Sequence, residues 1–217
     1  MITEFCGSAE NKCAIRAPKF RGAAKFRDNS LRPASLAAAA LRALRLRGAQ
    51  DDSAHGYLHK ALAAARLRDG DLAGRLLAAL TGSEFFFLSL MSSHYPKRSV
   101  YNADAACALP GVLAELLVDS VPGERNGPGR IELLPAVPAF LPSGRLRGIR
   151  TLAGVRVAEL HWNTGDTGDT GARTAEAVLV SATGCAADVS CWSPATVRRV
   201  TPRAGIPARM RWKWEER

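Results

Sequence analysis

The feature that most constrains this chain is a change of hydrophobic period near residue 120. Before it, apolar residues recur at helical spacing: Leu36, Ala39, Ala40 and Ala43; then Leu58, Ala61, Leu62 and Ala65; then Leu109, Val112, Leu113, Leu116 and Leu117. After it, short runs alternate between apolar and polar residues over 130–134, 146–152, 155–162, 175–180 and 191–200. A switch from a period near 3.6 to a period of 2 predicts helices followed by antiparallel strands, an α+β arrangement. Helices are expected to begin after Pro33 and to cover 53–68, 72–80 and 104–119. Asp69-Gly70-Asp71 separates the second from the third, with Asp71 as the expected cap, and Thr81-Gly82-Ser83 ends the third. Pro110 falls in the early part of the last helix, where proline is tolerated or bends the chain. The apolar run 85–91 must be buried against another helix or a partner. Ala153-Gly154 reads as the turn of a hairpin.

Four segments follow: a basic, poorly structured arm over 1–33, a helical segment over 34–120, a Gly/Pro linker over 121–129, and a β domain over 130–217. The net charge is +10, but it is unevenly placed. Residues 1–50 hold ten lysines and arginines against three acids, and residues 187–217 hold seven against three. The stretch between them holds thirteen against fourteen. The basicity therefore belongs to the two ends. With only Phe20 and Phe26 among the N-terminal cations, the arm reads as a solvated segment, and no nucleic-acid partner is expected. A hydrophobic fraction of 47% excludes wholesale disorder, and no run of about 18 apolar residues exists to span a membrane. The N-terminus has no continuous apolar signal region, which points to the cytoplasm for this chain.

Cysteines and histidines give no metal signature. Cys6, Cys13, Cys107, Cys185 and Cys191 include no C-x-x-C pair, so they are expected to be reduced and non-catalytic. His55 and His59 lie one turn apart but lack a third ligand, which favours surface or structural roles. His161 is expected on the sheet surface beside Trp162. The repeat of Thr, Gly and Asp over 164–171 has two acids, too few oxygens for calcium, and reads as a hairpin loop.

Three further stretches carry a resemblance. Residues 101–117 read YNADAACALPGVLAELL, residues 129–138 read GRIELLPAVP, and residues 65–71 read ARLRDGD. The first resembles a motif F-Q-I-D-G-N-F-G followed by I-A-E-M-L, with Asp104, Ala114, Glu115 and Leu117 on matching letters. The second resembles G-x-I-x-L-L-P-A-L-P, and the third A-R-L-G-D-G-D. Together with the glycines at 144, 148 and 154 and the strand ending at Trp162, these resemble glycoside hydrolase family 95, which contains α-L-fucosidases. The resemblance runs over about residues 35–200 in the family's order.

That resemblance implies part of an (α/α)6 helical barrel followed by a small antiparallel β domain. It also implies an inverting exo-glycosidase chemistry on terminal sugars of oligosaccharides, with no cofactor and no metal. Inversion needs an acid at the leaving oxygen and a base that activates water on the opposite face. Asp104 matches the aspartate that supports the water-positioning amides, and it is the catalytic candidate. Read without the resemblance, Asp104 is an N-cap of the following helix, and one carboxylate can serve both roles. His94 falls near the family's T-H-P-P and is a candidate for lining the sugar site. The family's G-N-F-G is replaced by Ala105-Ala106-Cys107-Ala108. The family's glutamate acid and upstream asparagines find no counterpart, so a truncated homologue, inactive by itself, is expected. Its parent would act on a fucosyl or related glycan and can be secreted. Unpaired helix faces would favour self-association. The alternative is a non-catalytic module that binds carbohydrate or a partner chain.

Overall fold

The computed structural model describes residues 34–124, 127–164 and 173–214. Four α-helices occupy its first part: α1 (Ala34–Arg47), α2 (Ala54–Arg66), α3 (Gly70–Gly82) and α4 (Ala103–Leu117). Between α3 and α4, β1 (Ser92–Ser93) pairs antiparallel with β2 (Tyr101–Asn102) around the 3-10 turn Pro96–Arg98. Eight strands follow: β3 (Val118–Val121), β4 (Gly129–Leu133), β5 (Ser143–Arg150), β6 (Arg156–Asn163), β7 (Arg173–Val180), β8 (Ala187–Cys191), β9 (Ser193–Val200) and β10 (Ala208–Trp214). They form two four-stranded sheets, ordered β10-β7-β6-β5 and β3-β4-β8-β9. All neighbours are antiparallel except β4 and β8. Gly154, with φ of 74°, turns the chain between β5 and β6 where the sequence places a hairpin.

The helix starts follow short-range chemistry. Ser53 Oγ accepts from Gly56 N–H at 3.1 Å and caps α2. For α3 the cap is Asp69, accepting from Leu72 N–H at 3.0 Å, in place of the expected Asp71. Asp71 reaches across to accept from Ala139 N–H at 3.1 Å. Alanines at 54, 61, 64 and 65 give α2 a thin buried face, which lets it lie closely against α3 and α4.

The expected partial helical barrel with a small β domain is not what forms. Among the described residues there are four α-helices and ten strands in three sheets, most of them antiparallel, so strands are the larger part. The physical reason lies around residue 118. The last helix stops at Leu117, and Val118–Val121 pairs with β4 instead of continuing the helix toward a further hairpin. β-branched Val118 and Val121 suit that pleated edge better than another helical turn. The run 85–91 also departs from expectation. Phe85 is buried against Tyr57, but Leu88 and Leu90 stand fully or largely in solvent.

Helices and sheets share one core. Leu76, Leu80 and Leu116 join Ile131, Leu133, Val157, Leu160, Leu179 and Val189 in a single buried cluster. Each such side chain contributes about 1.5–3 kcal/mol on burial. The seam runs through the segment after β4. Leu134 N–H donates to Leu117 O at 2.7 Å, and Ala136 N–H donates to Leu116 O at 3.1 Å. Gly70 faces Ala136 so closely that a Cβ there would lie 2.6 Å from the Ala136 carbonyl oxygen. Arg68 reaches Asp119 at 3.0 Å and also pairs with Glu132. The repeat at 165–171 and the arm over 1–33 lie outside the described residues.

Candidate functional site

The β1–β2 ribbon brings its flanking residues to the start of α2. His94, just after β1, accepts through its carbonyl from Ala54 N–H at 2.9 Å. Ser92 and Ser93 are fully buried and satisfied: Ser92 Oγ donates to Asn102 O and accepts from Ala106 N–H, while Ser93 Oγ donates to Val100 O. These bonds fix His94 and Asn102 side by side, with His55 of α2 against them.

Asn102, not Asp104, caps α4. Its Oδ1 accepts from Asp104 N–H at 2.7 Å, so its Nδ2 must point the other way, 3.2 Å from His94 Nδ1. An amide NH2 can only donate, which makes His94 Nδ1 an acceptor and leaves the His94 proton on Nε2. His55 Nδ1 also lies 2.9 Å from His94 Nδ1, so it must donate. His55 Nε2 then faces Asp104 Oδ2 at 3.5 Å. In the neutral imidazole that nitrogen is a lone pair opposed to a carboxylate. A second proton on His55 turns the same contact into an ion pair. The chain Asn102–His94–His55–Asp104 can thus hold one proton between an imidazole and a carboxylate that is 76% exposed. Asp104 lies in the first turn of α4, where negative charge is favoured by the helix dipole. Tyr95 stacks edge-on to His94 with ring centres 4.4 Å apart.

The two sequence candidates, Asp104 and His94, are therefore brought into one cluster, though neither touches the other directly. What joins them is His55, weighed in sequence only as half of a metal pair. His59 stays 6.1 Å from His55 between ring centres. Among the described residues no group of three potential ligands could hold a metal ion. Asn102 was also missed, although an asparagine just ahead of an apolar helix is a recognisable capping signal. Asp51, ahead of α2, is committed elsewhere. It pairs with Lys60 at 3.0 Å and accepts from Ser53. Burial pushes its pKa up, but Lys60 and the Ser53 N–H outweigh this and hold it below the usual carboxylate value.

Cysteines stand apart from this cluster. Cys107 is an exposed thiol, and Cys191 is buried, which pushes its pKa up and leaves it unreactive. Cys185 is disulfide-bonded, which corrects the expectation that all five thiols are reduced. Two clefts lie away from this cluster. One of about 500 Å³ opens at the seam, lined by Arg68, Asp71, Pro135 and Trp192 among others. The other, of about 560 Å³, lies over the outer face of the β5–β6–β7–β10 sheet. In comparisons with family models and with curated proteins, nothing matches the chain.

Proposed function

We propose that this chain is a glycoside hydrolase-like protein of the family 95 kind, directed at a terminal sugar of fucosyl type, and inactive in hydrolysis by itself. The observation that carries the reading is the Asp104–His55–His94–Asn102 cluster, in which Asp104, the aspartate of the resemblance, lies 3.5 Å from His55 Nε2. Asp104 would orient or polarise the group that presents water to the sugar, and His55 would supply or accept the proton at Oδ2. The spatial meeting of the resembling segments supports the same reading. Glu115 of the 101–117 stretch pairs with Arg66 of the 65–71 stretch at 2.7 Å, and the 129–138 stretch covers Gly70.

Inversion requires two carboxyl groups on opposite faces of the bond. Asp51 is tied to Lys60, so it does not supply the second. Loss of a general acid removes a factor of about 10² to 10⁴. The expected result with an aryl α-L-fucoside is therefore no turnover. L-Fucose should nevertheless shift the ring resonances of His55 and His94, and Asp104→Asn should abolish those shifts. Absence of any shift in the unmodified chain would sink the sugar reading; Asp104-dependent turnover would sink the claim of inactivity.

A second reading, a non-catalytic module that binds carbohydrate or a partner chain, draws on one observation. Neither cleft includes Asp104, which stands open on the helical side, while one cleft lies at the seam and the other over the outer sheet face.

A further inference from the structure

The strand register lines up three rows of side chains across the outer face of the β10-β7-β6-β5 sheet. From β5 to β10 they are Ser143, Asn163, Thr174 and Lys213; Arg145, His161, Glu176 and Arg211; and Arg147, Glu159, Val178 and Arg209. The alternate residues, among them Leu160, Trp162, Ala175, Ala177, Met210 and Trp212, point into the core. Every row ends in a cation on β10, and two rows also begin with one on β5. Both are edge strands. At about 4.8 Å between strands, the two cation lines are roughly 14 Å apart, and along each line the spacing is roughly 7 Å.

Among the described residues this face carries five cations against two carboxylates, a net of +3. Glu159 is occupied by its own neighbours, Arg147 at 3.1 Å, His161 at 3.0 Å and Arg145. The contacts with His161 and then Arg147 outweigh the opposing effect of burial and hold its pKa below the usual carboxylate value. Glu176 pairs with Arg211 at 2.9 Å. Between the cation lines, on β6 and β7, lie groups that bond hydroxyls, namely His161, Asn163 and Thr174, with Ser143 beside them on β5, and the cleft of about 560 Å³ runs over them.

We propose that this face binds a linear anionic polysaccharide, with its carboxylate or sulfate groups on the edge cations and its hydroxyls on the polar groups of the inner strands. Arginine forks suit such oxyanions because they donate two parallel hydrogen bonds. Nucleic acid fits less well. Of the sheet's three tryptophans, Trp162 and Trp212 are 7% and 3% exposed and turned into the core, and Trp214 packs edge-on against Trp192 on the same side as Trp212, so the outer face offers no aromatic platform to bases. The inference is independent of the sugar reading at Asp104. Cations on edge strands also discourage sheet-to-sheet association, a role that needs no ligand.

The test is an NMR titration of the whole chain with polygalacturonate and, separately, chondroitin sulfate, with dextran and single-stranded DNA as comparators. Expected are shifts of His161 and Asn163 with either polyanion. They should weaken sharply between about 50 and 200 mM salt, as charge-driven association does, and dextran should leave both signals unmoved. Arg209→Gln with Lys213→Gln should weaken binding about tenfold or more, Arg209→Lys should weaken it less than Arg209→Gln does because charge is kept and the fork is lost, and Asp104→Asn should leave it nearly unchanged. Retention without movement of His161, equal response to dextran, or tighter binding of DNA would each overturn the proposal. So would variants that merely aggregate while His161 of the unmodified chain stays still, which would assign the cations to guarding the edges.

Discussion

The two ends of α4 are built on opposite principles. At its start, Asp104 is three-quarters exposed and Asn102, His94 and His55 are half-buried polar groups joined by single contacts. At its end, Leu116 and Leu117 are buried and the chain passes directly into β3, with the seam closed by backbone bonds from Leu134 and Ala136. Around that end, Arg66 holds Glu115 and Arg68 holds Asp119 and Glu132. One helix thus presents open polar groups at the end that water reaches and a buried apolar seam at the end that water does not. On the proposed reading, substitutions at the start alter sugar binding at little cost to folding, and substitutions at the end cannot.

The largest expected effect tests the closed end. Leu116→Ala should destabilise the fold by about 2–5 kcal/mol, because a fully buried leucine leaves a cavity between helix and sheet. Chemical denaturation reads it. A smaller loss would mean that α4 and the sheets are not one cooperative unit. Next is Arg68→Ala, which leaves the largely buried carboxylates of Asp119 and Glu132 facing each other without their shared cation. A loss of about 1.5–3 kcal/mol is expected, from the same measurement.

Asp69→Ala should cost about 1 kcal/mol through the lost cap of α3. This residue also gives the comparison a pH dependence. Burial raises the Asp69 pKa, but the Leu72 N–H and Arg45 outweigh it and hold the value below 3.8. A depressed folded value means the stabilisation is complete above the unfolded value and disappears as pH falls through the folded one. Thermal melts of the unmodified chain should lose stability on acidification below about pH 4 more steeply than those of Asp69→Asn. Equal slopes would remove Asp69 from the account.

The smallest effect on stability is expected at the open end. Asp104→Asn and His55→Ala should each change stability by less than about 0.5 kcal/mol while removing the response of the cluster to L-fucose. A large loss of stability in either would break the contrast between the two ends and make the cluster a structural device.

Local features of this fold were readable because they depend on near neighbours. The start of α2 near residue 53, the stop at Thr81-Gly82-Ser83 and the turn at Gly154 each follow from the chemistry of a few adjacent residues. Two near misses show the limit of such reading. Asp69 and Asp71 are equally able to cap a helix from sequence, and the choice fell to Asp69 because Asp71 is drawn to Ala139 N–H, 68 residues away. Asp104 and Asn102 were likewise both available at α4, and Asn102 took the cap, which leaves the Asp104 carboxylate turned to His55. The overall architecture was misjudged for a related reason. Helical spacing up to residue 117 says nothing about whether the next strand belongs to a large or a small sheet.

By itself the sequence determined where helices give way to strands, which residues are apolar on each face, and that the central stretch of the chain is nearly neutral. Those properties depend on period and composition, and they survive any rearrangement in space. Only the tertiary structure decided that His55, distant from Asp104 in sequence, should be its neighbour, and that cations on β5 and β10 should border one sheet face. Pairing over such distances is set by which strands share hydrogen bonds and which helices share a core. No local pattern in the chain encodes that choice.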